Sequence, residues 1–90
     1  MTLLVSVCRV SHTPVGAELE DFHAAHKEVF GDAVGEMTFL RDPQDANQAA
    51  VVGKVHDLEK MREISRSPAG DAMMRKFGFI EQLSYFLEEA

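Results

Sequence analysis

Four histidines, one tyrosine, one cysteine and nine basic residues are the groups from which this chain could build proton transfer or charge stabilisation. His26 is the most informative. On a 100° wheel it lies in one apolar stripe with Leu19, Phe22, Val29 and Phe30. An imidazole so placed must either find a hydrogen-bond partner in the core or project into a cavity. In a cavity it suits a general base or a substrate-orienting group. His56 is a second candidate base, and Tyr85 a candidate donor to an oxyanion or enolate. Arg9 ends a strand and suits a substrate carboxylate, Lys54 suits a carbonyl or an acid if desolvated, and His23 sits at the edge of the His26 stripe. Each also has a plainer reading: a satisfied core histidine, a strand-end ion pair, a lysine stem reaching the rim, a packed tyrosine.

Other chemistries find less support. His23 and His26, three apart on a helix, would need His12 or His56 to complete a metal site, and no carboxylate is fixed beside them by spacing. No metal is expected. Cys8 is alone, so there is no internal disulfide and no CxxC pair. The glycines are scattered and form no phosphate-binding loop.

The elements that must position these residues follow from hydrophobic period. Leu3–Val10 reads as a strand, and Ser11–Gly16 breaks it at Pro14 and Gly16. Ala17–Phe30 reads as a helix with Glu18, Glu20 and Asp21 in its early turns, where the dipole favours anions. Glu36–Arg41 reads as a second strand, Asp42–Gln48 as a polar loop and Ala49–His56 as a third strand. Asp57 can cap a helix over 58–65, and Ser67-Pro68 starts another piece over 68–77 that Gly78 ends. Gln82–Glu88 reads as the fourth strand. The order is βαββαβ, one domain over residues 1–90.

Ninety residues with 9 Lys+Arg against 15 Asp+Glu, a net charge of -6, argue against a nucleic-acid or anionic-membrane partner. A content of 46% hydrophobic and 27% charged residues is ordinary for a globular domain. No run approaches a membrane span. The apolar Met1–Val10 lacks a basic leader and a small-residue cleavage site, so no secretory signal is expected and the expected setting is cytoplasmic.

Two helical segments can cover only one face of a four-stranded sheet. Both faces are nonetheless apolar. Leu3, Val5, Val7, Met37, Phe39, Val51, Val55, Leu83, Tyr85 and Leu87 form the oilier set and are assigned to the helices. Leu4, Ser6, Cys8, Thr38, Leu40, Val52, Lys54, His56, Ser84 and Phe86 form a mixed set assigned to a partner-facing cavity. Leaving either set wet would forfeit on the order of 10 kcal/mol, comparable to the whole stability of a small domain. A second copy of the chain, sheet against sheet, is the expected partner.

The run Arg41-Asp42-Pro43, the Asp45-Ala46-Asn47-Gln48 before Ala49-Ala50-Val51-Val52, and Asp57-Leu58-Glu59 at a helix start carry a family resemblance. Ser67-Pro68, Ala72-Met73-Met74, Gly78 and Tyr85-Phe86-Leu87-Glu88 continue it. The chain resembles the dimeric α+β barrel superfamily, the ferredoxin-like group that includes antibiotic-biosynthesis-monooxygenase-like proteins. That resemblance implies an α+β fold with a four-stranded antiparallel sheet, two helices on one face, and a homodimer with a small-molecule cavity between sheet and helices. It implies no single activity. The chain has no Trp, on which the haem-degrading members rely, so no haem and no other cofactor is expected. The expected function is binding of a small apolar ligand, with cofactor-independent oxygenation, cyclisation or isomerisation of an aromatic or carbonyl compound as its chemistry. A non-catalytic ligand-binding or stress-related module, or a dimerisation domain with a filled barrel, are the alternatives.

Overall fold

The computed structural model of the chain describes residues 2–88; Met1, Glu89 and Ala90 lie outside it. The order is β1 (Thr2–Val10), α1 (Ala17–Phe30), a 3-10 turn (Gly31–Ala33), β2 (Thr38–Asp42), β3 (Asp45–Val55), α2 (Leu58–Arg66), α3 (Pro68–Lys76) and β4 (Phe79–Phe86). The strands form one antiparallel sheet in the order β2-β3-β1-β4. The fold is therefore ferredoxin-like, with the second helical segment divided in two.

Local chemistry accounts for three of the helix ends. Helix α1 buries Phe22, His26 and Phe30 at a spacing of four and leaves at Gly31, whose φ of 55° suits a residue without Cβ. Asp57 accepts from the Lys60 amide at 3.0 Å and starts α2. Ser67 does the same for the Gly70 amide at 3.1 Å, with Pro68 at the first position of α3. At that elbow the backbone of α3 lies against α2. A Cβ on Gly70 would clash with the Ile64 carbonyl oxygen.

The β2–β3 hairpin is tighter than the sequence suggests. Of the expected Asp42–Gln48 loop only Pro43 and Gln44 turn, and Asp45–Gln48 extends β3. The polar side chains that read as loop formers instead satisfy the turn. Asp42 accepts from the Gln44 amide at 2.8 Å and from Gln48 Nε2 at 2.9 Å, while Asn47 Nδ2 donates to the Val10 carbonyl at 3.1 Å.

The core lies between the helices and one sheet face. Phe22 is its centre, edge-on to Phe39 at 4.8 Å and to Phe77 at 5.5 Å, with Phe30, Val34, Met37 and Met73 around it. The helix-facing residues of β1 are Leu4, Ser6, Cys8 and Val10, because Ser6 pairs with Val51 and Cys8 with Ala49. This corrects the assignment of Leu3, Val5 and Val7 to the helices; the assignments of Phe39, Val51 and Val55 stand. The polar Ser6 is tolerated inside because its hydroxyl is hydrogen-bonded. The oilier Leu3, Val5 and Val7 join Leu40, Val52 and Phe86 on the outer face, where Leu40 is 52% and Phe86 64% exposed. None of the helices is long and apolar enough to cross a membrane.

Candidate functional site

Between the sheet and the helices lies a cavity of about 320 Å³. At about 30 Å³ per molecule of liquid water, that is room for roughly ten waters or a small ring compound. Its wall is mostly apolar, with Leu4, Phe30, Met37 and Met61 prominent. Its polar lining comes from three places: Ser6, Cys8, Gln82 and Tyr85 on β1 and β4, His26 on α1, and Arg62, Ser65, Arg66 and Asp71 on α2 and α3.

His26 is 7% exposed and stacks on Phe30 with ring centroids 4.6 Å apart. Burial first, and the nearby His23 second, push its pKa down from 6.5 to about 4. At neutral pH the ring is uncharged, able to accept at one nitrogen and donate at the other. Among the described residues no sealed side-chain nitrogen or oxygen lacks a hydrogen-bond partner. Any ring nitrogen of His26 without a protein partner is therefore not sealed off, and His26 is among the residues that line the cavity.

Irregular pairing brings the β4 residues to this wall. Val10 pairs with Phe79, Cys8 with Gln82 and Ser6 with Tyr85, so alternate residues of β1 meet every third residue of β4. Ile80 and Leu83 are the extra residues, each bulged and exposed. Phe79, Gln82 and Tyr85 consequently share the cavity face. Gln82 Nε2 donates to Ser6 Oγ at 2.8 Å, and Ser6 Oγ lies 3.3 Å from Cys8 Sγ. Burial raises the Cys8 pKa, partly offset by Ser6, so the thiol stays protonated. Tyr85 is 54% exposed and sits where the cavity opens.

Of the residues singled out from the sequence, His26 and Tyr85 line the cavity together. His23 packs edge-on to Phe22 at 5.7 Å and is not part of the lining. Arg9 points to the outer face and pairs with Glu81 at 3.1 Å. Lys54 is exposed opposite Leu3, and His56 is exposed beyond the end of β3, its ring near Gly35. His12 binds Ser11 at 2.9 Å and Glu18 at 2.8 Å on the surface and is not part of the lining. Among the described residues no three metal-ligating side chains converge. Gln82, Arg62 and Arg66 were not foreseen. Gln82 depends on bulges that strand alternation does not reveal, and the arginines read as an ordinary solvated helix face.

The same architecture recurs in solved structures. SnoaB, a cofactor-independent oxygenase from Streptomyces nogalater, superposes with a TM-score of 0.60 over 99% of this chain and 91% of its own, at 19% identity. A Bordetella bronchiseptica protein provisionally named an antibiotic biosynthesis monooxygenase gives 0.62 over 99% and 95%, at 12% identity. A further antibiotic biosynthesis monooxygenase gives 0.57 over 100% and 98%, at 7% identity. The chain has the antibiotic-biosynthesis-monooxygenase-like fold. No protein-family model matches the sequence, and no curated protein matches it. In this monooxygenase-like fold the sheet and the three helices together line the cavity, so its chemistry is set by the side chains named above.

Proposed function

We propose that the protein is a dimeric, cofactor-independent monooxygenase that takes a small aromatic or carbonyl compound into this cavity. The observation that carries the reading is His26, an uncharged imidazole in the wall of a mostly apolar pocket. The fold shared with a cofactor-independent oxygenase supports it.

The chemistry asks little beyond a base and a dry pocket. A substrate with an acidic methylene between conjugated groups loses a proton to a His26 nitrogen. The resulting anion, beside the new imidazolium, raises the basicity of His26 in place, which offsets its low resting value. Tyr85 donates a hydrogen bond to the enolate oxygen. The electron-rich anion passes one electron to dioxygen, and the two radicals combine as a peroxide anion, which takes the proton back from the His26 imidazolium to give the hydroperoxide. Loss of water leaves a ketone. One oxygen atom enters the product, the other leaves as water, and the methylene carbon is the species oxidised. The apolar walls keep bulk water from the intermediates.

The outer sheet face supports the dimer. Val5, Val7, Val52, Leu40 and Phe86 form a continuous apolar surface with no helix over it. In this reading Arg9 and Lys54 frame that interface and His56 lies outside the reaction. A second reading, ligand binding without turnover, draws on the low resting basicity of His26.

Anthrone, which combines an aromatic body with an acidic methylene, is the probe that separates the two. Enzymatic conversion to anthraquinone should consume dioxygen, place one labelled atom from ¹⁸O₂ in the product, and fall by about 100-fold in His26→Gln. Binding of anthrone with no rate above the uncatalysed oxidation leaves the non-catalytic reading standing and removes this one.

A further inference from the structure

The rim of the cavity differs in chemistry from its interior. Arg62 and Arg66 sit one turn apart on α2, and both line the cavity where it meets solvent. The ion pairs among the described residues are Arg9–Glu81, His12–Glu18 and Arg75–Asp71. Neither rim arginine belongs to one. Asp71, the acidic side chain of the same lining, is held by Arg75 Nε at 3.0 Å. Glu59 and Glu63 flank the two arginines in a shallow outer groove, and neither carboxylate comes within ion-pairing distance of a guanidinium. Among the described residues both guanidiniums are therefore left without an ion-pair partner beside the pocket, in a chain of net charge -6.

We propose that Arg62 and Arg66 form a carboxylate subsite, so the ligand is an apolar ring body bearing an acidic group directed to the cavity mouth. The proposal rests on the cavity being the ligand site and goes beyond the reaction by fixing the ligand's class and orientation. Guanidinium groups bind carboxylates through paired N–H donors, and adjacent turns of one helix let both reach the same anion. The rest of the ligand then lies along Met61 and Phe30 toward His26, Ser6 and Gln82. A neutral ring would fill the same apolar walls and leave the rim charges to water. A carboxylated one uses both ends of the pocket.

The test uses a matched pair of probes, 2-naphthoate and 2-naphthamide, titrated calorimetrically into the full chain. Naphthoate should bind about five- to tenfold tighter, the gain expected of a partly exposed charge pair. The preference should shrink as salt is raised. In Arg62→Gln/Arg66→Gln it should disappear, with naphthamide affinity unchanged. Both substituted residues are exposed, and an unaltered circular dichroism spectrum and melting temperature verify the fold. Equal affinity for the two probes in the native protein, or a preference that survives the double substitution, overturns the subsite and leaves the oxygenase reading intact. Absence of binding by either probe removes the cavity as a ligand site, and this inference with it. A naphthoate preference lost in the double variant, with no turnover of anthrone, would separate the two claims in the other direction: the subsite stands and the oxygenase reading falls.

Discussion

Gln82 reaches across from β4 to donate a 2.8 Å hydrogen bond to the buried hydroxyl of Ser6 on β1. The bond exists because Leu83 is bulged out of the ladder, which puts Gln82 and Tyr85 on one face although they are three residues apart. Replacing Gln82 with Leu should cost about 1 kcal/mol, lowering the melting temperature by about 4–8 °C. Ser6→Ala should cost a similar amount. The double variant should lose much less than the sum. A double-mutant cycle in urea measures this, and strict additivity would show that the contact contributes nothing.

The state of His26 should be visible in the pH dependence of stability. Its pKa is about 4 when folded, against 6.5 as the ordinary value. Between those values the unfolded chain binds more protons than the folded one, so stability rises with pH across the window and falls on acidification. His26 should account for about 2–3 kcal/mol of loss between pH 7 and pH 4. His26→Phe, which keeps a ring against Phe30, should have a shallower profile over that range. Other groups titrate in both proteins, so the difference between the two curves is the quantity to read. Parallel curves would mean that His26 keeps its ordinary pKa.

Gly70 offers a sign test of the α2–α3 elbow. In an unobstructed helix, alanine is favoured over glycine by about 1 kcal/mol. Here the added methyl would clash with the Ile64 carbonyl oxygen, which is backbone and cannot swing aside. Gly70→Ala should therefore destabilise by about 2 kcal/mol or more in denaturant unfolding. A gain in stability would show that the elbow is free to open.

The outer sheet face should hold two chains together. Sedimentation of the native protein at micromolar concentration should give twice the 10.0 kDa chain mass. Val52→Asp, in a central strand of that face, should give the single-chain mass with its circular dichroism intact. A native protein that sediments as one chain would leave the apolar face to be explained by another partner.

Much of this fold could be read from side-chain type and period. Helix α1 lies where the Phe22, His26 and Phe30 spacing places it, and Ser67-Pro68 marks the break between α2 and α3. Polarity alone misassigned the faces of β1. Ser6 and Cys8 look like the wetter side, yet the hydrogen bond to Gln82 lets them turn inward, while the fully aliphatic Leu3, Val5 and Val7 face out. A strand with two oily faces carries no internal signal of which is which. At the site, His26 was legible because one polar residue interrupts an apolar stripe. Gln82 was not, because its orientation is set by two extra residues in β4. Arg62 and Arg66 were not, because exposed arginines on a helix are common, and only the cavity beneath them gives their position meaning.

The elbow at Gly70 fixes α2 against α3, and α2 carries the two rim arginines without contributing a strand to the sheet. The groups suited to bond-making, His26 and Tyr85, belong to other segments. If the proposed subsite and reaction hold, selection of the incoming compound and its conversion are written on separate stretches of chain. Exchanging Arg62 and Arg66 while keeping Met61 and Ile64 should redirect which acids are admitted and leave the reactive end as it is.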